Sequence, residues 1–428
     1  MKFSARASKS ASLLATTSWV AIALFADQAN AGCTPASAGN DIVLCDAATL
    51  PDPEATTVDL LAGDDTLTVD SGTYGGGFTG GSGIKTILLN GGVIAGYTNT
   101  IGTSSITFSP ASTATVTGAI VTGGGQDLFE IDSGTVSGAV SQGDGIDTFI
   151  MRGGSIGSLA QGDSRDIFFM SGGTIVGAFE DGDVATMTGG TIGRVDMKLD
   201  KNIFDMSGGS IIGNLVTGFD DDQIFVSAGS IGGNISVSGG NDIVQITGGS
   251  VSGEVRMSTG NDNLLWQGGG TIAGLIDMGP DNDLVTLRNL ADGTIAPTQA
   301  ITGGTGVDTL VLAGFGPTVL DAGSITSFET LSKTEPGLWT LGGSLTDITS
   351  ATVFAGTLRL TGTNGGYGGS MTVAPAGTLE GAASALTPSI LTDGIVRFTQ
   401  SVDETYAGTI AGSGAVEKVG VGTVALTA

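Results

Sequence analysis

A Gly-[Ser/Thr]-[Ile/Val] tripeptide returns along the middle of this chain at Gly134, Gly154, Gly173, Gly190, Gly209, Gly229, Gly249 and Gly270, in steps of 20, 19, 17, 19, 20, 20 and 21 residues. Seven positions ahead of the first seven of these glycines stand Asp127, Asp147, Asp166, Asp183, Asn202, Asp222 and Asp242. A spacing held this closely is a structural register. Each period is one supersecondary unit that cannot bury its apolar face alone and has to stack on the next.

Apolar residues keep the same register. Two and four positions after the acidic residue come Phe129 and Ile131, Phe149 and Met151, Phe168 and Met170, Ala185 and Met187, Phe204 and Met206, Ile224 and Val226, and Val244 and Ile246. Alternation with a period of two predicts a strand with one buried face. Val136, Ile156, Ile175, Ile192, Ile211, Ile231, Val251 and Ile272 mark a second strand, and Val140, Phe179, Leu215, Ile235, Val255 and Ile276 a looser third. Three short strands per coil of about 20 residues, divided by Gly, Asn and Asp turns, predict an all-β chain folded as a right-handed parallel β-helix. The methionines Met151, Met170, Met187 and Met206 share one position and read as core filler stacked coil on coil.

The acidic position has two readings. As structure, Asp or Asn beside Gly is turn chemistry, its side chain bonding the local backbone. As function, a column of carboxylates at coil spacing invites cations between them, and Asp127, Asp147, Asp166, Asp222, Asp242 and Asp308 are the candidate calcium ligands. The stretch "GGTGVDTLVL" (303–312) even fits the nonapeptide of calcium-binding β-rolls. True β-rolls repeat that nonapeptide in tandem, whereas here the acidic turn comes once per coil, so the ligand count favours the turn. No other cofactor is expected.

Lys2, Arg6 and Lys9 precede a mostly apolar stretch from Leu13 to Ala26, and Ala29-Asn30-Ala31 is a small-x-small cleavage site. Residues 1–31 therefore read as a signal peptide cut between Ala31 and Gly32, and the chain as exported. Cys33 and Cys45, the only cysteines, read as a disulfide closing an N-terminal cap over residues 32–57. The repeat region proper spans 58–326.

From about residue 327 the pattern changes. "FETLSKTEPGLWTLGGSL" (328–345), "FAGTLRLTGTNGGYGGSMTVAPAGTLEG" (354–381) and "YAGTIAGSGAVEKVGVGTVALTA" (406–428) resemble the passenger-associated repeats of bacterial autotransporters, which read approximately as L-x-K-x-G-x-G-x-x-x-L-x-G followed by V-x-x-G-T-L. The resemblance covers the C-terminal hundred residues or so and agrees with the signal peptide and glycine-rich coils upstream. It implies a β-helical passenger of type V secretion, carried through a C-terminal 12-stranded outer-membrane barrel. The last residues, "GVGTVALTA", stop inside a passenger repeat, so the barrel is a partner expected outside this chain.

The chemistry of the sequence narrows function further. With 15 Lys+Arg against 42 Asp+Glu and a net charge of −27, the chain lacks the basic patch that nucleic acid requires. "QGDSRDIF" places Asp163 and Ser164 in an arrangement superficially like a serine nucleophile, but there are no histidines to take the hydroxyl proton, and Arg165 stands where a protease motif has Gly. The expectation is a non-enzymatic, surface-exposed or secreted passenger, an adhesin or other virulence-associated factor that meets a host surface protein or glycan. The alternatives are a β-helical enzyme acting on polysaccharide, using carboxylates alone, and a calcium-binding β-roll-like protein.

Overall fold

The computed structural model describes residues 32–47 and 55–427; the expected signal peptide, with Ala31, lies outside them. The described chain is all-β, 51% strand, and winds into a parallel β-solenoid of about 19 coils roughly 20 residues apart. Successive strands of one coil turn away from each other and pair instead with their counterparts in the coils above and below. On the first face the in-register partners run Phe204, Ile224, Val244, Leu264, Val285, Leu310. The second face runs Ile211, Ile231, Val251, Ile272, and the third Leu215, Ile235, Val255, Ile276, Ile301. Both expected apolar sets of the first two strands, and the looser third, are buried in one continuous core.

Inside, like residues stack. Phe129 lies face to face with Phe149, and Phe149 with Phe168, at ring separations of 5.1 and 5.7 Å. The column's next residue is Ala185, and Phe179 from the third strand stacks on Phe168 at 4.2 Å. Offset stacking of this kind adds to what area burial alone supplies.

The tripeptide glycine has a reason of its own. It turns the chain from the first face to the second with left-handed backbone, φ 83° at Gly209, which an L side chain adopts only under strain. The methyl end of the methionine one coil earlier packs into the space a side chain on that glycine would take. Glycine and methionine are thus two halves of one contact, repeated from coil to coil.

Cys33 and Cys45 are disulfide-bonded at the N-terminal end. The strand Ile42–Cys45 pairs in register with Asp65–Val69, so the cap is the first coil of the stack. The passenger-like repeats continue the same sheet, Leu312 pairing with Lys333, Lys333 with Val353, and Val353 with Val373, while Glu404–Tyr406 and Val424–Leu426 near the end pair with each other in a sheet of their own.

Candidate functional site: an inward column of carboxyl groups

The acidic residues begin the first strand, and strand parity decides where they point. Asp127, Phe129 and Ile131 are at i, i+2 and i+4, hence on one face, and all three are buried. Asp147, Asp166, Asp222, Asp242 and Asp308 are likewise buried, as are Asp183, Asp262 and Asp283. The carboxyl groups therefore line the inside of the solenoid.

Their hydrogen bonds correct the turn reading. Each Asp accepts through one carboxylate oxygen from the backbone N–H of the matching residue one coil earlier. Asp127 N–H donates to Asp147 Oδ1 at 2.7 Å, Asp147 to Asp166 Oδ1 at 2.7 Å, and Asp166 to Asp183 Oδ2 at 2.7 Å. The series resumes from Asn202 to Asp222, then to Asp242, Asp262, Asp283 and Asp308, at 2.7 to 2.8 Å. Asp308 N–H closes it on Glu329. The bonds run between coils, where local turn chemistry would have kept them within one corner.

The calcium reading of Asp127, Asp147, Asp166, Asp222, Asp242 and Asp308 meets the same geometry. These side chains are withdrawn from the corner where a hydrated ion would arrive, and among the described residues no group of three or more acidic, histidine or cysteine side chains converges as a metal cluster. The glycines of the β-roll-like stretch have a packing role instead: a Cβ on Gly303 would stand 2.8 Å from Asp308 Oδ2.

Burial governs the protonation of the column. It pushes Asp147 up to about 7, Asp166 to about 8, Asp222 and Asp242 to about 6, and Asp262 and Asp283 to about 7. Asp127, Asp183 and Asp308 are raised by the same cause. The backbone N–H bonds pull the other way at every rung and are outweighed.

Toward the N-terminus the column changes composition. Lys85 pairs in register with Asp65 below and Ser104 above. Its ammonium, fully buried, reaches Asp65 Oδ2 at 3.0 Å and donates to the carbonyls of Gly63 and Ser82 at 2.5 and 2.8 Å. Ser104 in turn donates its backbone N–H to Asp127, while its hydroxyl accepts from the side-chain amide of Asn99 and shares a hydrogen bond with the Tyr97 hydroxyl. A second buried lysine, Lys333, serves the passenger-like repeats: its amine donates to the carbonyls of Thr334, Glu335 and Ala355, and burial lowers it to about 8.

Back to back with the buried column runs an exposed one. Asn241 bonds Asp221, Asn261 bonds Asn241, and Asn282 bonds Asn261, each through backbone and side-chain amides to the same oxygen. The recurring Asn-Asp pairs are thus one outward and one inward ladder. Asp163 and Ser164 sit exposed at a corner, with Ser164 at φ 99°.

Asp262 escaped the count back from the glycine because its coil gains a residue before Gly270, and Asp283 because the next tripeptide, at Gly293, comes ten residues on. Their signal is the apolar pair that follows, Leu264 with Trp266 and Val285 with Leu287. The N-terminal rungs Asp65, Lys85 and Ser104 carry no tripeptide at all. Comparison of the chain with protein-family models, with curated proteins and with solved structures gives no match.

Proposed function

We propose that this chain is a non-enzymatic autotransporter passenger, displayed at the outer-membrane surface or released from it, which binds a host surface protein or glycan. The observation that carries this reading is the continuity of one sheet from the tripeptide coils into the repeats at 328–428 that resemble passenger-associated repeats. An outer-membrane translocator barrel is the partner that such a passenger requires.

The outward side of the first face supports a binding role. Ile150 and Phe169 are neighbours there, as are Asp205 and Phe225, and Leu265 and Val311 follow further along the same row. The five apolar side chains are only half-covered, set singly or in pairs between the polar Thr186, Asp205, Gln245 and Thr286 of the same row, and on a rod that carries 42 acidic residues they offer apolar points of contact.

Purified chain beginning at Gly32, applied to host cells and to immobilised glycans, tests the proposal. Saturable binding that is lost on Phe169→Asp with Phe225→Asp, at unchanged far-UV spectrum, is the expected result. Absence of binding, or turnover of a polysaccharide, would overturn it.

A further inference from the structure

We infer that folding of this solenoid takes up protons on the inward carboxyl column, so that mildly acidic surroundings favour the folded rod and alkaline ones loosen it. The inference goes beyond the binding role and does not depend on it.

The argument begins with geometry. One oxygen of each rung is satisfied by a backbone N–H, but Oδ2 of Asp127, Asp147, Asp166, Asp222, Asp242, Asp262, Asp283 and Asp308 is buried without a hydrogen-bond partner. An ionised carboxylate there has one oxygen facing neither donor nor water, with like groups above and below at coil spacing, about 4.8 Å. Protonation removes the charge and leaves the N–H bond to the other oxygen intact.

Nothing packed around the column supplies the missing positive charge over most of its length. Lys85 stands at the N-terminal end, already paired with Asp65. Arg165 acts on Asp183, where the half-buried Asp181 and the exposed Asp200 oppose it. Asp144 and Asp127 add repulsion at Asp147. From Asp222 to Asp308 the charged groups that bear on the rungs are other acids: Asp220, Asp221, Asp281, Glu329 and the rungs themselves. The residues at or just after the end of the third strand along this stretch are the buried, uncharged Thr217, Val237, Met257 and Met278, as Thr122, Gln142 and Gln161 are earlier; the Thr122 and Thr217 hydroxyls ease Asp127 and Asp222 from too far for a well-formed hydrogen bond, and burial outweighs them. The raised titration of the column agrees with this arrangement.

Linkage fixes the direction. An unfolded Asp gives up its proton near 3.8, whereas the folded rungs hold theirs to between about 6 and 8. Between those limits the folded state binds more protons, so stability falls as pH rises. The column also contains its own control: Asn202 is a native amide rung, buried like the acids and donating its backbone N–H to Asp222.

The test is urea unfolding of the chain beginning at Gly32 from pH 5 to 8.5, with proton uptake on refolding at pH 6.5 followed by an indicator dye. The unfolding equilibrium constant should rise at least about tenfold per pH unit between pH 6 and 8, one factor of ten for each net proton. Asp222→Asn with Asp242→Asn, rungs that burial raises to about 6, should flatten the slope mainly at and below pH 6, by up to two protons toward pH 5; if the pair does not fold, Asp242→Asn alone and the dye measurement decide. Stability that is level or rises over this range, no proton uptake, or an unchanged slope in the variants would overturn the inference. So would 10 mM calcium abolishing the pH dependence where magnesium does not, because an ion would then be doing what protons are inferred to do.

Discussion

The Cε of Met187 lies 2.6 Å from the point where a Cβ on Gly209 would stand. The same pairing joins Met151 to Gly173, Met170 to Gly190 and Met206 to Gly229. Gly209→Ala therefore meets two penalties together, a strained left-handed backbone and an overfilled core, and should cost about 2 to 4 kcal/mol. Met187→Ala in the same chain should recover the packing part only. A double-mutant cycle read by the urea midpoint checks this; additive effects would show that the two residues do not share the contact.

Phe204 is fully buried between Ala185 and Ile224 in the first-face column. Phe204→Ala should cost about 3 to 5 kcal/mol, since both neighbours are too small to fill the void. Hydrogen exchange should show the loss concentrated in the adjoining coils, because each coil contacts chiefly the one above and the one below.

Lys333 offers a test of the passenger-like repeats. Its amine satisfies three carbonyl oxygens at a buried corner, and Lys333→Met keeps the volume while leaving them unpaired. A loss of about 3 kcal/mol is expected. Because folding lowers this lysine to about 8, its own contribution to stability should rise with pH from there toward 10.5, opposite in sign to an acidic rung. Comparing wild type with Lys333→Met across pH 8 to 10.5 isolates that contribution.

The N-terminal coil should depend on its cross-link. Cys33 and Cys45 enclose a loop with a sequence separation of 12, for which reduction should cost about 3 kcal/mol. Exported protein should begin at Gly32 and contain no free thiol, which intact mass before and after reduction reads directly. A lipid on Cys33, or two free thiols, would contradict the export reading.

Most of the fold was legible because it rests on parity. Phe129 with Ile131, and every equivalent pair, announces an inner face, and Val136 or Ile231 after the glycine announces the next. Direction at the corner was harder. Asp127 is two residues from Phe129, so the same parity already placed it inside, but a charged side chain beside Gly reads as solvent-facing turn. What decides is collective: an inward Asp is tolerable only when the next coil offers an N–H at the right height, and one coil's sequence cannot display that. Lys85 and Ser104 were invisible for a related reason. They fill rungs with different chemistry, and a repeat search finds likeness, not equivalence of position.

The rung bonds have equal lengths over unequal coils. Asp166 N–H meets Asp183 across 17 residues at 2.7 Å, and Asp283 N–H meets Asp308 across 25 at 2.8 Å. The extra residues of the longer coil, including 289–300, leave the first-face pairing of Leu284 with Thr309 in step. Length is thereby uncoupled from register: an exposed corner such as 291–293, ahead of the buried Ile295, can be rewritten, enlarged or made to carry a foreign peptide while the neighbouring coils still find their marks. A lineage built on this scaffold can vary what it presents to its surroundings without having to reinvent how it folds.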